Sequence, residues 1–496
     1  MGNTPERGHH HDALRTFAVH FLQFFAGSFS SLLVGLISFP ILTRALSQSD
    51  YGSLSIVTVA ASLGVAVAKG GLSDSIIRFY REFAADGTRL RTFTSTVLVR
   101  SILMAGVVAL LFALLVTPTR HALGLTAAIA PAFFVMAAFV FIRPINIVVL
   151  NYLRATGRTI FYNGISLFLK VASVALALAL LFGFGGKLSL YFTGIVLAEA
   201  IGAVILVRWL LRNYPVSPGA VSGPLSMQLI RFGVPLLATE VGYLLLQYSD
   251  RYLLTAFTDT ATVATYSVGY NLPSYVNDLV LFSVSYAIVP IYTDLFTTRG
   301  EEQTKAFLAS ALKYYVIGVV PLCAGYAATA HDAIVFLASA KYASAATFSP
   351  IVLAGLVFLG ANYILYAGLY LHKRSELILA TVALAVAVNI SMNLVLIPRL
   401  GALGCAISTL VACATCSVAA AILSFRRMPI RIPWGSILYY GAASIVMYLL
   451  VSRIETGGAV TNLLLKVPAG ALIVGAAFLL RDRHELGALP TLLRRG

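Results

Sequence analysis

The 496-residue chain is predicted to be an all-α, polytopic membrane protein of about fourteen transmembrane helices, two six-helix lobes followed by a carboxy-terminal pair. Three observations predict this class. Hydrophobic residues make up 59% of the chain and charged residues 11%, where soluble globular chains carry roughly 25% charged residues. Mean hydropathy is +0.89. Apolar runs of the ~20 residues needed to cross a bilayer recur along the whole length. The composition excludes a soluble enzyme, a nucleic-acid-binding domain and a disordered chain.

Charged, Gly or Pro punctuation delimits the spans in order. The first six lie near residues 17–42, 54–68, 92–116, 126–150, 160–182 and 188–210, forming an N-lobe over 16–212. The next six lie near 229–257, 263–292, 306–330, 348–371, 377–397 and 402–425, forming a C-lobe over 229–427. Spans near 434–451 and 463–480 form the appended pair, 428–482. The stretch 213–228 contains Pro215, Pro218 and Pro224, which cannot continue a helix, and is expected to link the lobes. Segments 1–15 and 483–496 are expected to be cytoplasmic tails. The first is polar and runs directly into a full-length span, so no cleavable signal peptide is expected.

Similar exits support the two lobes. Thr43-Arg44-Ala45-Leu46 after span one resembles Asp250-Arg251-Tyr252-Leu253 after span seven, and Asn151-Tyr152-Leu153-Arg154 after span four resembles Leu369-Tyr370-Leu371-His372 after span ten. Six spans separate each pair, so the repeats would run parallel about the membrane normal.

The formal charge of +16 is a topology signal. With the amino terminus inside, 24 basic residues fall on inner segments and span ends, against seven on outer ones. Cytoplasmic loops are enriched in Lys and Arg, so both termini are expected in the cytoplasm and nucleic acid is not needed to explain the charge.

Ionisable groups inside a bilayer cost ~2.5–3.5 kcal/mol each on insertion scales and therefore need a reason. Lys170, Glu199, Glu240 and Asp278 fall in the middle third of their spans, while Arg143 and Lys313 lie nearer the cytoplasmic side. Glu240, Tyr243, Gln247 and Arg251 are spaced three, four and four apart, on one face of span seven. Span eight adds Tyr270, Asn271 and Asp278, with Pro273 as a candidate kink. The functional reading is a wet cavity whose phenol and amide groups meet sugar hydroxyls and whose cations meet phosphate. The competing reading is helix-to-helix pairing, with Lys170 and Glu199 as the leading pair because they lie at matching depth on successive spans.

Other chemistry finds no support. The histidines beyond the tail are scattered, and no Ser/His/Asp set or G-x-x-x-x-G-K-[ST] phosphate loop is present. Cys413 and Cys416 form a C-x-x-C on an apolar helix with no second ligand pair, which reads as small apolar filler. No metal or organic cofactor is expected.

Two stretches carry a family resemblance. Residues 25–80 include a threonine-arginine exit, the loop Ser47-Gln48-Ser49-Asp50-Tyr51-Gly52 and the later Ile77-Arg78-Phe79-Tyr80. Residues 373–410 place Asn389, Asn393, Pro398, Gly401, Gly404 and Thr409 in an N-x-x-x-N-x-x-L-I-P-x-x-G-x-x-G-A-x-x-A-T pattern, with Cys405 and Ser408 where alanine is usual. They resemble the bacterial polysaccharide-exporter (oligosaccharide flippase, Wzx-type) family of the multidrug/oligosaccharidyl-lipid/polysaccharide (MOP) superfamily.

The resemblance implies a MOP flippase-like fold in the bacterial inner membrane. It also implies alternating-access transfer of an undecaprenyl-pyrophosphate-linked oligosaccharide to the outer leaflet, for O-antigen, capsule or exopolysaccharide synthesis. Membrane lipid would be a partner, with a glycan polymerase and a chain-length regulator as further ones. Arg44 and Arg251 match the exits of helices one and seven, and Arg78 the inner end of helix two. On depth and face, Arg143, Lys170, Tyr243, Gln247, Tyr270, Asn271 and Lys313 join them as substrate-binding candidates. Glu240, Asp278 and Glu199 are candidates for H+ or Na+ coupling. A lipid II flippase or a multidrug/toxin cation antiporter of the same superfamily is the alternative.

Overall fold

The computed structural model describes residues 29–30, 32–123 and 125–495, the side chains of residues 74, 279–287 and 484–495 excepted. The expected amino-terminal tail and the start of span one lie outside the described residues. Among the described residues all regular elements are helical, and twelve helices are long and apolar enough to cross a membrane. Two further helices, α1 (Leu32–Ala45) and α9 (Thr260–Arg299), occupy the positions expected for spans one and eight. The chain is a multi-pass membrane protein. Its contacts divide it into two compact units, one ending at Ala264 and the other beginning at Thr265.

The first unit continues with α2 (Gln48–Lys69) and α3 (Leu72–Phe83). The Ser47 hydroxyl caps α2 by accepting the Asp50 N–H at 3.1 Å. After Lys69, Gly70 and Gly71 take left-handed φ of +55° and +72°, which ends one helix and starts the next. The stretch between the spans expected near 54–68 and 92–116 thus contains a helix of its own. Leu72, Ile76 and Phe79 follow helical spacing and are buried, while Ile77 and Arg78 face outward.

Asp86 then caps α4 (Gly87–Ala122), accepting the Thr88 N–H at 2.8 Å. Next come α5 (Ala130–Ala155), α6 (Thr159–Gly183), α7 (Leu188–Asn213) and α8 (Gly223–Phe257). Helix α8 starts inside the expected linker because Pro224 sits in its first turn, where the missing N–H has no intrahelical partner to lose. The connection before it is fastened to α4. The Ser217 and Ser222 N–H groups donate to the hydroxyls of Ser95 and Thr96 at 2.9 and 3.0 Å. Beside it, the Tyr80 and Tyr214 hydroxyls lie 3.4 Å apart, and burial pushes the Tyr80 phenol above its ordinary range, so it keeps its proton.

Helix α8 joins this unit through bare backbone. A Cβ on Gly71 would lie 2.3 Å from the Gly233 carbonyl, closer than atoms can approach. Around that contact the Ser75 hydroxyl donates to the Leu229 carbonyl at 3.1 Å, and Phe79 meets Phe232 edge-on at 5.3 Å.

The second unit contains α10 (Glu301–Leu337), a 3-10 segment (Ala340–Thr347), α11 (Ser349–Leu365) and α12 (Ala367–Leu371). It ends with α13 (Ser375–Leu400), α14 (Ala402–Phe425), α15 (Trp434–Val451) and α16 (Ala459–Arg495). Expected span ten is interrupted at Tyr366, whose hydroxyl lies 2.7 Å from that of Thr381 on α13. The carboxy-terminal segment expected as a tail continues α16 past a non-helical Asp482 (φ −113°).

Candidate functional site

In the first unit α7 packs against both α5 and α6, which barely touch each other. Gly194 and Gly202 permit the close approach to α6, since a Cβ on either would fall within 2.4 Å of Ala177 or Leu169. This arrangement brings together three charges that sequence depth had marked. Glu199 on α7 is 5% exposed and accepts from Arg143 Nη1 of α5 at 2.8 Å. Asn146, one helical turn beyond Arg143, donates through Nδ2 to Glu199 Oε2 at 2.7 Å and to the Glu199 carbonyl at 2.9 Å. The carboxylate is therefore hydrogen-bonded on both oxygens.

Lys170 on α6 is close enough to interact electrostatically with both Arg143 and Glu199, but makes no hydrogen bond or ion pair among the described residues. The expected Lys170–Glu199 pair is thus replaced by Arg143–Glu199, because Glu199 faces the α5 side of α7, which depth alone cannot specify. Two cations surround one anion, and the cluster carries a net positive charge. The Lys170 side chain is exposed on α6.

A second pair joins α2 to α8, where Lys69 donates to Glu240. Glu240 remains 41% exposed. Along the same face of α8, Tyr243 and Gln247 are half-buried, and the Gln247 carbonyl accepts from Arg251 Nη1 at 3.1 Å. Arg251 itself is 2% exposed and lies over the Tyr248 ring at 5.1 Å. The stripe therefore runs from a solvent-accessible acid to a packed cation. Arg44 is exposed at the end of α1. Arg78 is exposed on α3 and bonded to Glu82 at 2.6 Å.

The candidates of the second unit are dispersed. Tyr270 is buried beside Tyr266, Asn271 is half-buried, and Asp278 makes no hydrogen bond or ion pair among the described residues. Lys313 on α10 donates to Asp482 Oδ1 at 2.7 Å, while the Tyr440 hydroxyl donates to Oδ2 at 2.7 Å. These bonds tie α15 and α16 to α10. Sequence reading missed Asp482, Asn146, and the buried pair of Lys466 with Asp332 at 2.7 Å. Asn146 was detectable, standing three residues from Arg143 in an apolar run.

The profile of a family described as polysaccharide biosynthesis protein matches residues 21–296, more than half of the chain. The chain belongs to that family. This family member is 27% identical over 209 residues to an uncharacterized membrane protein of Methanocaldococcus jannaschii, covering 41% of this chain and 40% of that protein. The chain is similar in fold to the lipid II flippase MurJ in an inward closed conformation. The TM-score is 0.76 at 13% identity, over 93% of this chain and 99% of the other. It is also similar to an inward-facing multidrug resistance MATE family transporter of the MOP superfamily, with TM-score 0.66 at 13% identity over 81% and 94% of the two chains. The fold is that of MOP-superfamily flippases and transporters.

Proposed function

We propose that this protein is a flippase that moves a polyprenyl-pyrophosphate-linked oligosaccharide from the inner to the outer leaflet of the cytoplasmic membrane. The observation that supports this most is Lys170, a mid-span cation with no hydrogen-bonded partner among the described residues, beside an acid already neutralised by Arg143. A pyrophosphate carries at least two negative charges, and burying them unpaired is prohibitive, so a transporter of this substrate needs such a cation. Lys170 and Arg143 attract the headgroup, Arg44 and Arg78 stand at the exposed ends, and the polyprenyl tail stays in lipid. Alternating access delivers the glycan for surface polysaccharide synthesis, with both termini cytoplasmic. A glycan polymerase and a chain-length regulator act on the delivered glycan.

Cation coupling fits Asp278 best, because Glu199 and Glu240 already have basic partners. The likeness in fold to the lipid II flippase favours, as second reading, another polyprenyl pyrophosphate carrying a peptidoglycan precursor. The test is the leaflet distribution of lipid-linked glycan. Deleting the gene should trap the surface-glycan intermediate in the inner leaflet, and re-expression should release it. Trapping of lipid II instead selects the second reading, and loss of organic-cation efflux with neither lipid trapped overturns both.

A further inference from the structure

Residues 87–239 contain twelve Lys and Arg and a single acid, Glu199. That acid is bonded to Arg143 and lies near Lys170, and the other ten cations have no further acid within the stretch to pair with. Several of them gather where α5 ends and α6 begins. Arg158 lies over the Trp209 ring at 5.5 Å and Arg154 over the Tyr162 ring at 5.7 Å. Arg212 stands one turn beyond Trp209 on α7, and all three arginines are exposed. Arg158 forms no ion pair among the described residues.

Beside Arg158 lies an open groove of about 640 Å³, lined by the Gly157–Phe161 turn and then by Gly164, Ile165 and Phe168 along α6. Its walls are apolar, and Ile160, Phe161 and Phe168 are exposed. A Cβ on Gly164 would touch nothing within 4 Å, so the groove is widened by the missing side chain. At its head α6 starts without a side-chain cap, which leaves first-turn N–H groups able to bind an anion. The groove thus joins an apolar slot, running along a spanning helix, to a cationic head at that helix's end. That end is the terminus of a helix long and apolar enough to cross a membrane.

We propose that this groove binds an anionic glycerophospholipid of the bilayer, its phosphodiester at Arg158 and the start of α6 and an acyl chain against Ile160, Gly164 and Phe168. The site is on the outside of the α5–α6–α7 packing, apart from the Lys170 cluster, and does not depend on the transported substrate. Basic pockets at helix ends hold acidic headgroups for the electrostatic reasons that draw polybasic segments to anionic leaflets.

The experiment is native mass spectrometry of the full-length protein in detergent, titrated with cardiolipin, phosphatidylglycerol or phosphatidylethanolamine. The expected result is retention of the two anionic lipids and at least tenfold weaker retention of phosphatidylethanolamine. Arg158→Gln should lower cardiolipin affinity about fivefold. Gly164→Leu should lower it without lowering melting temperature, because the added side chain enters open space. Lys170→Ala should retain the lipid even where it abolishes export, which separates this site from the transport reading. Equal retention of phosphatidylethanolamine overturns the proposal, as does unchanged cardiolipin binding in both groove variants. So does displacement of cardiolipin by equimolar undecaprenyl pyrophosphate, which would assign the groove to the substrate.

Discussion

Arg143 and Glu199, 56 residues apart in sequence, meet at 2.8 Å, with the carboxylate 5% and the guanidinium 33% exposed. That asymmetry determines what each substitution does. Arg143→Met strands a buried carboxylate and should destabilise the protein by about 3 kcal/mol. Glu199→Gln leaves a partly hydrated guanidinium and an amide able to bond Asn146, and should cost about 1 kcal/mol. Unfolding of the purified protein in detergent measures both. The reverse order would mean that Arg143, not Glu199, is the buried partner.

Lys170 contributes no hydrogen bond among the described residues. Lys170→Ala should therefore leave the melting temperature within about 2 °C of the parent. Export should nevertheless fall about tenfold or more, the loss of at least ~1.4 kcal/mol of headgroup attraction. Assays of glycan export and thermal unfolding on the same variant decide the matter. A large drop in stability with export intact makes Lys170 a structural residue.

The Lys69–Glu240 pair crosses from α2 to α8 with its acid partly exposed. In a double-mutant cycle, Lys69→Met and Glu240→Gln should couple by about 1 kcal/mol, small because solvent reaches the carboxylate. Gradient dependence of transport should survive Glu240→Gln and be lost in Asp278→Asn. Loss in the first variant and not in the second would transfer the coupling role to Glu240.

Gly71 and Gly233 touch through backbone alone. Gly233→Ala would place a methyl 2.6 Å from the Gly71 carbonyl oxygen and force α3 and α8 apart. Overpacking of this kind costs about 1–3 kcal/mol, and the melting temperature should drop accordingly. Gly164→Ala is the control, expected to be neutral or slightly stabilising because it adds helix propensity in open space.

Asp482 receives both Lys313 and Tyr440. Asp482→Asn should weaken the attachment of α15 and α16 to α10 by about 2 kcal/mol, since a neutral amide replaces the carboxylate that accepts both bonds. Faster proteolysis between α14 and α15 would report it, and an unchanged cleavage rate would show that apolar packing alone holds these helices.

Composition and apolar run length were enough to determine a polytopic helical membrane protein and the order of its spans, because the bilayer forces each crossing segment to satisfy its own backbone. The same run-length reading missed α3, whose amphipathic face is buried against protein and looks polar in a hydropathy count. Depth along a span also picked out Lys170, Glu199, Glu240 and Asp278, since an intramembrane charge is costly wherever it points. What depth could not supply was azimuth. The rotation of α7 that turns Glu199 toward Arg143 and Asn146, the glycine contact that brings Glu240 near Lys69, and the meeting of Lys313 with Asp482 are set by packing between distant segments. Side chains a few ångströms apart there are tens to hundreds of residues apart in the chain, so only the tertiary structure could decide which cations are neutralised and which, like Lys170, remain available to an anion.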